Sequence, residues 1–240
     1  MAKYYAPVFL VVILIVGWIV AGLGERDLYR ESATAERSIH AYDDPTTPIK
    51  DISITAYYFV PANKAADAPD SSWKEPLISA LDDLKRFHEI QFAGLSRISY
   101  TIYPTAIIGK NPNIFYDTDL TERGNPHALE SITDEIAASG SAASVAPGAY
   151  RVAYIIYDGV GASGTNHAAL INRRFLVDPA YGGTRESLAA HEFYHTLGIP
   201  DGYDLATGTS TTADLMGLGR TTRPLKENYL ERGTLAHLGL

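Results

Sequence analysis

The chain has 240 residues, 46% hydrophobic and 20% charged, with a formal net charge of −8. That length holds one well-buried catalytic domain plus a targeting segment but not two ordinary enzyme domains, and the composition excludes wholesale disorder. An acidic balance without a Lys/Arg stripe excludes nucleic acid as a partner, and the absence of cysteine excludes disulfides, thiolate metal sites and a cysteine nucleophile, so any metal must be held by His, Asp or Glu.

From Ala6 to Leu23 the chain reads APVFLVVILIVGWIVAGL, without a charge. A bilayer core takes about 20 apolar residues as helix, whereas the apolar part of a signal peptide runs to about 7–15, so residues 1–24 are expected to be a single transmembrane anchor. Lys3 before the run and the small residues Ala21, Gly22 and Gly24 after it leave a cleaved signal segment as the alternative, which would make the protein secreted. An extracytoplasmic domain is the expectation, although Arg26, Arg30 and Arg37 follow the segment and the positive-inside rule counts them against export. Residues 25–50, ending in DDPTTPIK, read as a polar linker or short pro-segment, and the catalytic domain is expected over 51–240.

Within that domain Asp51 to Val60 (DISITAYYFV) is β-branched and aromatic and predicts a strand. Pro76 suits an early helical position, and Leu77, Leu81, Leu84 and His88 recur at helical spacing up to Gly94. Ser96 to Tyr103 predicts a second strand, Asn125-Pro126 caps a helix to about Ser139, and Tyr150 to Tyr157 predicts a third strand. Asp158 to Ala168 is a Gly-rich loop, Leu170 to Val177 a further strand, and Thr184 the cap of a helix over Arg185 to Leu197. This order predicts an α+β domain with one mixed sheet.

On the last helix His191 and His195 stand four residues apart, slightly more than one turn, so both imidazoles leave the same face and can converge on one ion. Glu192 lies beside them, and the pattern HExxH supplies two nitrogen ligands with a carboxylate that can take a proton from water at the metal. Two histidines at this spacing also occur as an ordinary polar face. The continuation HTLGIPD adds a reason to prefer a metal: Gly198 can take positive φ and turn the chain so that Asp201 approaches the same ion.

The stretch HEFYHTLGIPD, His191 to Asp201, together with Asp214-Leu215-Met216-Gly217, resembles the metzincin clan of zinc peptidases, whose signature is HExxHxxGxxH/D followed by a methionine turn. The element order resembles theirs too: sheet, backing helix, edge strand, active-site helix, then a short irregular C-terminal subdomain. The resemblance covers roughly residues 51 to 235, while its specific motifs occupy 191 to 217. It implies a twisted mixed sheet of zincin type, Zn²⁺ held by His191, His195 and Asp201, Glu192 as general base, and Met216 as an apolar floor under the histidines. It implies endopeptidase activity on a protein or peptide substrate. Asp201 stands where the commoner form has a third histidine, and an anionic ligand makes the zinc a weaker Lewis acid.

Two other readings stay open at this point. A gluzincin-type site would take its third ligand from Glu227 or Glu231 in KENYLERG, and a membrane-tethered module of the same fold could bind without catalysing. Tyr203 is a candidate for holding an oxyanion, though packing is the simpler role in a chain with sixteen tyrosines. The Gly-rich loop before Ala168 is placed to border an edge strand that pairs with extended peptide. Asp117, Asp119 and Glu122 fail the EF-hand spacing and read as a solvated acidic loop. His40, His88, His127, His167 and His237 show no paired spacing and read as ordinary surface or core histidines.

Overall fold

The computed structural model describes residues 37–120, 124–141, 147–204 and 206–240. The apolar run at 6–23 and the polar stretch after it as far as residue 36 lie outside these residues. Among the described residues no helix is long and apolar enough to cross a membrane. The compact unit begins at Ser38, ahead of the expected start at Asp51. Strands β1 (His40–Ala41) and β2 (Asp44–Pro48) form an antiparallel hairpin. Ile39, Ala41 and Ile49 are buried, and the hairpin is tied on by His40 N–H to Leu238 O and Tyr42 N–H to Leu197 O.

The main sheet is mostly parallel. Its longest strand, β3 (Asp51–Val60), is flanked in parallel by β4 (Arg97–Ile102) and β6 (Tyr150–Tyr157), with the short β5 (Ile107–Ile108) beside its C-terminal end. Beyond β6 comes β8 (Ala168–Asn172), also parallel, and then β7 (Ala162–Thr165), the only antiparallel member, at the edge. A sheet covered on both faces needs apolar residues at every position rather than at alternate ones, which is why β3, β6 and β8 read as nearly continuous apolar runs.

Period-two alternation sorts those residues between two cores. Ile52, Ile54, Ala56 and Tyr58 of β3, with Tyr154 and Ile156 of β6, face the larger core. That core is built with α1 (Lys74–Gln91), whose Leu77, Leu81, Leu84 and His88 make the expected stripe, and with α5 (Arg185–His195). Tyr57 and Phe59, with Ile155 and Tyr157, face the opposite core. There α2 (Asn113–Tyr116) and α3 (Pro126–Ala138) cover the sheet through Tyr116, Leu129, Ile132 and Ile136. The Asn125 side chain caps α3 by accepting from Ala128 N–H, and Pro126 fills its first position, as expected.

Two elements differ from expectation. The Gly-rich loop contains a strand, β7, and the predicted strand from Leu170 to Val177 stops at Asn172. The Asn172 side chain accepts from Arg174 N–H and starts α4 (Arg173–Val177), because a side-chain oxygen that satisfies a free amide favours a helix start over a continued strand. After α5 the chain is irregular apart from the short α6 (Gly219–Thr222) and α7 (Arg232–Ala236).

Candidate metal centre

Helix α5 runs along the larger core with Ala189, Ala190, Phe193 and Tyr194 buried. Its N-terminus lacks the expected side-chain cap, since Thr184 makes no capping bond, while at the other end Thr196 Oγ1 donates to Phe193 O. Gly198 takes φ +82° and turns the chain directly after the helix, as its position predicts. The turn brings Asp201 back to the two histidines. His191 Nε2 lies 3.1 Å from His195 Nε2, and Asp201 Oδ1 lies 3.2 Å from the first and 3.1 Å from the second. Among the described residues these three are the one group of metal-ligating side chains that converges in this way.

The second nitrogen of each ring decides what the first can do. His191 Nδ1 faces Leu215 O at 3.2 Å and His195 Nδ1 faces Ile199 O at 2.7 Å. A carbonyl only accepts, so each Nδ1 carries a proton, and a ring that is neutral turns a bare Nε2 lone pair toward its partners. Asp201 Oδ1 is buried between the two Nε2 atoms. With both rings neutral three lone pairs point at one another, an arrangement that repels unless a cation or a proton sits among them. A tetrahedral zinc with ligands at about 2.0–2.1 Å spaces them about 3.3 Å apart, close to the separations found here. His–carbonyl bonds of this kind are the usual outer support of a metal-ligating imidazole.

Charge reinforces the geometry. Burial pushes His191 down to about 4, so that ring is neutral near pH 7. Burial also acts to lower His195, but the adjacent Asp201 carboxylate outweighs it and raises the ring. Burial alone would raise Asp201; the two imidazoles hold it below the usual carboxylate range. The cluster therefore takes either a proton or a cation, and the two compete.

Glu192 stands beside this group without joining it. Burial pushes its carboxyl up to about 7. It lines a cleft of about 760 Å³ with Ser163, Gly164, His195, Asp201 and Tyr203. One wall of the cleft is β7, whose Gly164 lies so close to α5 that a Cβ would overlap the Glu192 carbonyl and the His195 Cβ. This contact explains the strand hidden in the Gly-rich loop: ASGT is chosen for thinness against the helix rather than for strand propensity.

Met216 is buried in the larger core, in the turn that also supplies Leu215 O to His191. Asp214, at the start of that turn, is fully buried and has both carboxylate oxygens engaged. Oδ1 accepts from Thr212 Oγ1 and Met216 N–H, and Oδ2 from Glu231 N–H and Thr234 Oγ1. Sequence reasoning missed Asp214, although an acid flanked by threonines inside an apolar DLM run was a usable signal.

The remaining candidates fall elsewhere. Glu231 accepts from Ala213 N–H, Glu227 is exposed, and neither joins the histidines. Asp117 is spent on Asn125, Tyr157 and Val160 N–H, while Glu122 lies outside the described residues. His88 is buried against Tyr194, and His167 stacks on Tyr150. Neither a scan against models of protein families nor a search of curated proteins returns a match for this chain.

Proposed function

We propose that the chain is a zinc-dependent endopeptidase of metzincin type, tethered to a membrane by its N-terminal segment, with Asp201 in place of a third histidine. The observation that carries this reading is the convergence of two imidazole Nε2 atoms and a carboxylate oxygen at the spacing of a tetrahedral face, with Glu192 beside them. The element order also supports it: a sheet backed by α1, the edge strand β7, then α5 carrying HExxH and a short irregular C-terminal part. Placing the later acids away from the cluster favours Asp201 over Glu227 or Glu231 as the third ligand.

Zinc held by His191, His195 and Asp201 would polarise a scissile carbonyl and acidify water in the cleft. The chain's own contributions are distinct. β7 offers edge backbone along the cleft, where an extended peptide adds as a further strand and is held in register. Glu192, which lines the cleft beside His195 and Asp201, would accept the proton of attacking water and return it to the leaving amine. An intact Glu192 favours catalysis over a binding module that merely keeps the fold.

The test uses the full-length chain in detergent, with bound metal measured by elemental analysis and cleavage of a peptide library followed with and without chelator. One equivalent of zinc, with chelator-sensitive cleavage that Glu192→Ala removes while retaining the zinc, is the expected result. A chain that binds no metal overturns the reading.

A further inference from the structure

The third ligand comes from irregular backbone, and a helix does not fix it. What holds it is a second contact between two segments, 201–204 and 214–220. Gly202 N–H donates to Met216 O at 2.8 Å. The two chains meet so closely there that a Cβ on Gly202 would overlap Thr212 Oγ1 and crowd the Met216–Gly217 peptide. One residue beyond Gly202, the Tyr203 ring lies nearly parallel to His191, 6.1 Å between centroids and 27° between planes. Over that same phenol sits the Arg220 guanidinium, 3.7 Å from the ring centroid. Arg220 is itself anchored, since Nη1 donates to Gly217 O at 2.7 Å.

We propose that Arg220 is a positioning residue for the metal centre: by stacking on Tyr203 while bonded to the methionine turn, it locks the segment carrying Asp201 against the segment whose Leu215 carbonyl orients His191. This rests on the zinc reading above. Arg220 touches none of the three ligands; it acts through Tyr203. A planar guanidinium stacked on an aromatic ring is a fixed contact that a flexible ammonium does not reproduce. Outer supports of this kind are worth about 10–100-fold in metal affinity.

Coulomb's law alone predicts the opposite sign. Arg220 is a positive charge near a site for a dication, so deleting it relieves repulsion and tightens binding. Positioning predicts that deletion weakens binding. The direction of the change therefore separates a clamp from a mere neighbour.

The experiment measures zinc affinity of the full-length chain by competition with a chromophoric chelator, for the wild type, Arg220→Met, Tyr203→Leu and the double variant. Thermal unfolding in chelator is read in parallel to separate loss of fold from loss of site. The expected result is affinity at least about ten-fold weaker in Arg220→Met, and little further loss when Arg220→Met is added to Tyr203→Leu. Unchanged or tighter zinc binding in Arg220→Met overturns the inference while leaving the zinc site standing. So does an equal loss in both backgrounds, or a loss matched by unfolding of the metal-free variant. A wild type that binds no zinc removes the site itself, and this inference with it.

Discussion

The two halves of the proposed metal centre are built by different means. His191 and His195 ride on α5, where helical periodicity alone puts both rings on one face, and the helix is buried against the sheet. Asp201 rides on a turn of irregular chain, and its place depends on Gly198 at positive φ, on the Gly202–Gly217 approach and on backbone bonds to Thr211, Thr212 and Met216. The first half is rigid because a core surrounds it. The second is placed by a few individual contacts, each of which can be removed alone. Strain in the first half should therefore appear as lost stability, and strain in the second as lost metal.

A matched pair of substitutions tests that division, with the largest effects expected. Gly164→Ala drives a methyl into the α5 backbone, where neither strand nor helix can yield, and should cost about 3 kcal/mol of unfolding free energy in denaturant titrations. Gly202→Ala meets Thr212 and the Met216–Gly217 peptide in a segment freer to shift. It should cost only about 1 kcal/mol in the metal-free protein while weakening zinc at least about ten-fold. Equal stability losses with unchanged metal binding would erase the distinction.

A smaller effect sharpens the account of why the helical half is rigid. His88 lies in the core behind α5, with Nδ1 3.3 Å from the Tyr194 hydroxyl and Nε2 buried without a partner. Burial pushes it down to about 3, from an ordinary value of 6.5. A histidine whose folded pKa is depressed binds its proton more readily when unfolded, so stability is full above the unfolded value and falls as pH drops below about 6.5. The slope is about 1.4 kcal/mol per pH unit until the folded pKa is reached. His88→Asn keeps a polar atom near the Nδ1 position but does not titrate. Unfolding measured in chelator from pH 6 to pH 4 should therefore be flatter in the variant by about that slope, whatever its stability at pH 7.

The smallest effect belongs to the far side of the sheet. Asn125→Ala removes the cap of α3, a helix packed on the opposite core, and should cost about 1 kcal/mol in denaturant titrations without moving zinc affinity, since the Asn125 N–H bond to Ala162 O of β7 is a backbone bond the substitution keeps. A change in metal binding there would mean that the two faces are coupled through the sheet.

How far the sequence disclosed all this follows the same line. α1 and α5 were legible because periodicity is local, α3 because its Asn-Pro cap is local too, and β3 and β6 because a doubly covered strand needs a continuous apolar run. β7 was not, since ASGT records the approach of α5 and not its own conformation. Asn172 ended a strand through a bond its own side chain makes, a switch that the apolar pattern of Leu170 to Val177 concealed. Asp201 was legible only through Gly198 and the resemblance to a known ligand spacing. Arg220 carries no local signal in GRTTR, because what distinguishes it is a ring seventeen residues earlier in the chain.

The hairpin at the start of the compact unit sets a limit on processing. Tyr42 bonds to Leu197 O, two residues past His195, and packs so tightly on Gly198 that a Cβ on the glycine would meet its own Cβ. The turn that presents Asp201 is thus braced from behind by residues from the polar stretch. On the proposed reading, a cut ahead of the compact unit leaves that brace intact only if it falls before Ser38, whereas a cut beyond Tyr42 would leave both histidines in place and Asp201, the proposed third ligand, unsupported.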